Sequence, residues 1–132
     1  MHQITLEQDP HPYAVSRLAP DGAIPGWADG DGFVTISRSR HELSIVCRAD
    51  RVPAGVQSEQ DWACWRFVGP FAFGATGIVL SVIEPLSRGG IGIFVVSTFD
   101  GDHLLVQRGD LERAVPLLTA AGHRLVACVA EQ

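Results

Sequence analysis

The sequence has little charge: Asp, Glu, Lys and Arg make up 19% of its 132 residues, against 46% apolar ones. That balance excludes a disordered chain, which needs high charge and low hydrophobicity to resist collapse. The 10 basic residues are scattered singly and the formal net charge is -5, so nothing here tracks a phosphate backbone. Nucleic acid is not an expected partner. Long hydrophobic runs are missing too. The longest, Phe71 to Ile83, is too short to span a bilayer, and the opening MHQITLEQDP has neither the basic segment nor the apolar core of a secretion signal. No membrane is expected, and the cytoplasm is the default location. Cys47, Cys64 and Cys128 are odd in number, lack CxxC spacing and lie among apolar neighbours, which reads as buried reduced thiols.

Catalytic signatures are scarce as well. The chain has no GxSxG, no HExxH, no GxGxxG after a strand and no phosphate-binding GxxxxGK[ST]. Its five histidines are dispersed, and Asp29-Gly30-Asp31-Gly32 opens like a calcium loop but has Arg40 where the closing bidentate Glu is needed. No catalytic residue, metal or cofactor is expected, and the chain does not read as an enzyme. The weakest of the competing readings is a small enzyme using His103 beside Asp102, because no nucleophile or oriented base accompanies the pair.

What is present is a patterned second half. From Thr76 the apolar residues Val79, Val82, Ile83 and Leu86 recur at helical spacing and Gly89-Gly90 supplies a stop, with Pro85 expected to kink the last turn. A second helix runs from Asp110, a good N-cap, through Leu118 to Gly122, with Pro116 in its interior. Short β-rich runs at 64–68, 91–98, 103–107 and 124–129 alternate with these helices, and Asp100-Gly101 marks a hairpin between the middle two. The order β-α-β-β-α-β gives an α+β, ferredoxin-like split βαβ layer with both crossovers on one face.

The first half repeats part of this. Strands are expected at 13–19, 33–37 and 43–47, and sliding the chain by 60 places sets Ser37 on Ser97 and Ser44-Ile45-Val46 on Leu104-Leu105-Val106, a worn duplication. The segment IPGWADGDG is too short and too rich in Gly for a crossover helix, so this copy is degenerate. Residues 1–11 are read as a tail with order starting near residue 12, and Val52 to Asp61 as a connector to a complete second copy at 62–132.

The loop FAFGATG and the turn STFDGD should approach the same end of the sheet. Backbone N–H groups at Gly74 to Gly77, opening a helix, favour an anion, and Asp102 offers the opposite charge. A zwitterion such as a free amino acid has both ends. Close helix–strand packing explains the glycines equally well. Trp27, Trp62 and Trp65 are read as structural anchors.

The stretches YAVSRLAPDGAIPGWA, FVTISRSRHELSIVC, VGPFAFGATGIVLSVIEPLSRGGIGIFVVSTFDGDHLLV and AAGHRLV resemble the short tandem ACT-domain proteins. They are similar to the ACT pairs of aspartate kinases and to the ACT repeats of the animal cytosolic arginine sensor, GI-x5-EPL-x10-STF-x2-DH being the most specific piece. The resemblance implies a ferredoxin-like βαββαβ ACT domain at 62–132 behind a degenerate ACT-like half at 12–61. It also implies an amino-acid-binding regulatory module. The effector would touch Ala72, Phe73, Gly74, Ala75, Thr76, Gly77, Ile78 and Val79 on the loop and helix start, and Thr98, Phe99 and Asp102 on the turn. Gly92 and Ile93 would come from a second copy, giving a homodimer with interfacial sites. Ala75 stands where the arginine sensor has a glutamate, so a smaller or less cationic amino acid fits better. The alternative is a structural or protein-interaction module with a vestigial pocket. An effector protein would be the output partner in the sensor reading.

Overall fold

A computed structural model describes residues 2–69, 71 and 75–128. Its eight strands and two helices are β1 (Thr5–Gln8), β2 (Tyr13–Leu18), β3 (Thr35–Arg38), β4 (Leu43–Arg48), β5 (Gln57–Phe67), α1 (Ile78–Arg88), β6 (Ile93–Ser97), β7 (Asp102–Gln107), α2 (Leu111–Ala120) and β8 (Arg124–Ala127). They gather into two compact units, one of residues 1–10 with 63–132 and the other of residues 11–62.

The larger unit is the expected β-α-β-β-α-β layer. Both helices cover one face of the sheet, where Val82, Leu86, Ala114 and Leu118 pack on Trp65, Phe67, Leu104 and Val106. Burying each such leucine contributes about 1.5–3 kcal/mol. The segment read as a tail belongs to this layer. Leu6 pairs antiparallel with Phe67 of β5 and parallel with Leu125 of β8, so β1 lies between the first and last strands of the repeat, and order begins well before residue 12. Leu6 is fully buried in the core and Ile4 nearly so, which is the physical reason this short polar-looking stretch is a strand.

Both helices carry an interior proline and neither stops there. Pro85 has no N–H, so the carbonyl of Ser81, one turn earlier, lacks its helical donor. His123 replaces it: its Nε2–H donates to Ser81 O at 2.7 Å, while its Nδ1 accepts the Ile4 N–H at 3.0 Å. One buried imidazole thus satisfies α1 and β1 together. At the start of α2, Asp110 stands at the N-cap without capping; its carboxylate faces Arg113 at 3.5 Å instead.

The smaller unit orders its strands β3-β4-β2 and then the first half of β5. Its core is Ala28, Leu43, Ile45 and Cys47, with Trp27 and Leu18 against them. No α-helix lies in residues 11–62; 3-10 turns at Gly26–Ala28 and Ala49–Arg51 stand in the corresponding places. The expected connector is shorter than the sequence implied, because Gln57–Asp61 already belong to β5. Those residues pair with β2, and a bulge follows at which Asp61 takes φ 68°.

The duplication is visible at an offset of 59 positions rather than 60. Ser39 N donates to Glu42 O in one hairpin turn and Thr98 N to Gly101 O in the other. Arg38 pairs with Leu43 as Ser97 pairs with Asp102, and the 3-10 turn Ala49–Arg51 matches Arg108–Asp110. Side chains alternate along a strand, so the one-residue slip moves every matched position to the other face.

Candidate functional site

Within the larger unit a cleft of about 410 Å³ opens between the start of α1 and the β6–β7 turn. Volumes of roughly 300–1,000 Å³ are usual for small-molecule sites. Its α1 wall begins at Gly77, which takes the left-handed conformation (φ 80°, ψ -1°) open to glycine at no steric cost. The first helical bond is Ser81 N to Gly77 O at 3.0 Å. The N–H groups of the first turn before it have no intrahelical acceptor, and a glycine cap offers them no side chain. They give this wall the positive pole of the helix. Just outside, the carbonyl of Thr76 accepts from His2 Nε2 at 2.9 Å, which ties the loop to the N-terminus.

The opposite wall is the turn. Thr98 closes it through its N–H (2.7 Å) and its hydroxyl (3.0 Å), both donating to Gly101 O. Ser97 Oγ donates to Asp102 Oδ1 across the register pair that ends the hairpin. That bond orients the carboxylate on the helix-covered side of the sheet, and Asp100 adds a second acid. The cleft therefore has an electropositive end and an electronegative end. Its mouth is apolar, with Phe99 81% and Leu80 55% exposed.

Of the residues named from the sequence, Ala75, Gly77, Ile78, Val79, Thr98, Phe99 and Asp102 line this cleft. Thr76 adjoins it. Ala72, Phe73 and Gly74 lie outside the described residues. Gly92 and Ile93 do not line it; Ile93 opens β6 opposite Val106. Leu80, Ser97, Asp100 and Phe71 also line the cleft and were not named as site residues. Ser97 was legible in principle, since the hairpin register sets it opposite Asp102. His2 was not, because nothing local marks a contact across 74 positions.

Against the same turn, a smaller cavity of about 270 Å³ is bordered by Arg66, Phe67 and His103 and shares Thr98, Asp100, Gly101 and Asp102 with the cleft. Arg66 is paired with Glu7 at 3.3 Å. Burial and the nearby Arg66 guanidinium pull the pKa of His103 down to about 4, against the opposing effect of Asp102.

A model of the ACT domain matches residues 57–120, from the first residue of β5 to the last of α2, and a model of an N-terminal domain matches residues 11–55. A comparison with the curated proteins finds no match. Among solved structures, a protein from Agobacterium tumefaciens is 55% identical over all of this chain and 98% of that one, with a TM-score of 0.94. A Vibrio cholerae protein, described as of unknown function and a possible transport protein, aligns over 91% of each chain at 19% identity and a TM-score of 0.72. The regulatory subunit of aspartate kinase from Thermus flavus aligns over 91% of this chain and 99% of that one, at 13% identity and a TM-score of 0.63. Residues 57–120 of this chain are thus an ACT domain.

Proposed function

We propose that the chain is a regulatory module that binds a free amino acid in the cleft between α1 and the β6–β7 turn. The observation that carries this reading is the pairing of opposite poles in one cleft: the uncapped first turn of α1 and the carboxylate of Asp102. The α-carboxylate of the ligand lies on the α1 N–H groups and its ammonium on Asp102. A charge-assisted bond of this kind contributes about 1.5–3 kcal/mol. Ala75, Ile78 and Phe99 leave apolar room for a small side chain. The likeness to an aspartate kinase regulatory subunit agrees with a regulatory role.

The working form in this reading is a homodimer. Exposed Phe99 and Leu80 leave the mouth of the cleft apolar, and β6 is an edge strand whose start, Gly92-Ile93, a second copy would bring to that mouth. The same exposed apolar rim also supports the second reading, a protein-interaction module whose cleft binds nothing.

A thermal-shift screen against the free amino acids, with Asp102→Ala alongside, separates the two. One amino acid that raises the melting temperature of the wild type and not of the variant supports the sensor. No shift with any amino acid favours the interaction module.

A further inference from the structure

The smaller unit carries the same hairpin end as the larger one, with its chemistry exchanged. At the matched offset Arg38 stands where Ser97 does, and Leu43 where Asp102 does. Leu43 is fully buried in the unit's core, so the carboxylate that marks the cleft has no counterpart there. Arg38 reaches from the hairpin to the loop that follows β2. Its Nη2 donates to Gly22 O at 2.9 Å and its Nη1 to Pro20 O. That loop occupies the place, after the first strand of its repeat, that the loop before α1 occupies in the larger unit. A guanidinium fork thus joins the two walls that the cleft of the larger unit keeps apart.

We propose that the smaller unit retains the counterpart of the cleft and that Arg38 fills it in cis, so that a chain takes one ligand rather than two. The exchange of residues is coherent. Without an acid at position 43 the site lacks the carboxylate that pairs with an ammonium group in the larger unit, and the loop carbonyls of Pro20 and Gly22 are acceptors open to a donor from within the chain. Arg38 supplies that cation from within the chain at a fixed position, with two of its donors matched to two carbonyls. The count of one ligand per chain rests on the proposed function; the occupancy by Arg38 does not.

Hydrogen exchange tests the occupancy without any ligand. The Gly22 amide, which donates to Ala19 O at 3.1 Å, reports whether the loop is held. In Arg38→Ala it should exchange at least about threefold faster, an effect kept small because the bonds are exposed. Amides of β4 should keep their wild-type protection, which shows the unit still folded. Unchanged exchange at Gly22 overturns the proposal. Native mass spectrometry of the wild type with each of the protein amino acids should then show at most one bound molecule per chain, and two would overturn it. Faster exchange in the variant with no amino acid bound anywhere would sink the proposed function while leaving Arg38 as the occupant of its unit.

Discussion

The two hairpins of this chain close on the same backbone turn and diverge at the residues that flank it. In the larger unit the flanking pair is Ser97 and Asp102, polar and open to a cleft; in the smaller it is Arg38 and Leu43, one bound to a loop and the other buried. The difference continues into the connections. The 3-10 turn Arg108–Asp110 runs on into α2, whereas Ala49–Arg51 leads back into a strand. Arg51 meanwhile donates to the carbonyls of Trp27, Asp31 and Ala28, holding in place the segment that replaces a crossover helix. A repeat that loses its helices must satisfy the loop carbonyls left behind, and here arginines do so. The retained backbone turn is therefore a poor guide to retained binding chemistry.

The strongest way to break this contrast is to exchange the flanking residues. Leu43→Asp places an uncompensated charge in a sealed core and should cost more than about 4 kcal/mol, measured by chemical denaturation. The reciprocal Asp102→Leu, at the matched position of the open unit, should change stability by no more than about 1 kcal/mol. Similar costs for the two would mean that the hairpins differ less than their flanking residues suggest.

The helices exist in the larger unit alone, and His123 is part of how α1 tolerates Pro85. His123→Ala leaves the Ser81 carbonyl and the Ile4 N–H buried without their partner, at a cost of about 3 kcal/mol. Adding Pro85→Ala restores a helical donor to Ser81 O and should recover about 1 kcal/mol of that loss, beyond what Pro85→Ala gives on its own. Strictly additive effects in this cycle would show that the imidazole serves Ile4 and not the proline-freed carbonyl.

Much of the larger unit was legible in the sequence, because its helices show period 3.6 and its hairpin carries an Asp-Gly turn. The parts that were not legible have identifiable causes. Gln57–Asp61 is polar and mostly exposed, so no alternation betrays a strand. Thr5–Gln8 has a single fully buried residue, Leu6, and becomes a strand only through partners about 60 and 120 positions away. The repeat offset was misjudged by one because β4, β6 and β7 carry apolar residues on both faces, which lets similarity slide where register cannot. Asp110 has the composition of a cap, yet Arg113 one turn on competes for its carboxylate. For the site, the loop and turn residues were within reach of pattern and resemblance. Arg38 was not, since its role depends on the path of a loop 16 positions earlier.

The hairpins also differ one residue further along, where His103 of β7 matches Ser44 of β4, a group that does not titrate. Folding pulls the His103 pKa from 6.5 to about 4, chiefly through burial. The unfolded chain therefore holds more protons at this ring between those two values, and stability falls as the pH drops through that window. The ring is only half-buried, so solvent screening reduces the effect to about 1 kcal/mol. Denaturation midpoints of the wild type and His103→Gln, compared across this range, should diverge steadily toward acid, with the variant losing less. The other four histidines are common to both proteins and drop out of the difference. Parallel profiles would mean that the turn end of β7 is no more sensitive to acid than its serine counterpart in β4.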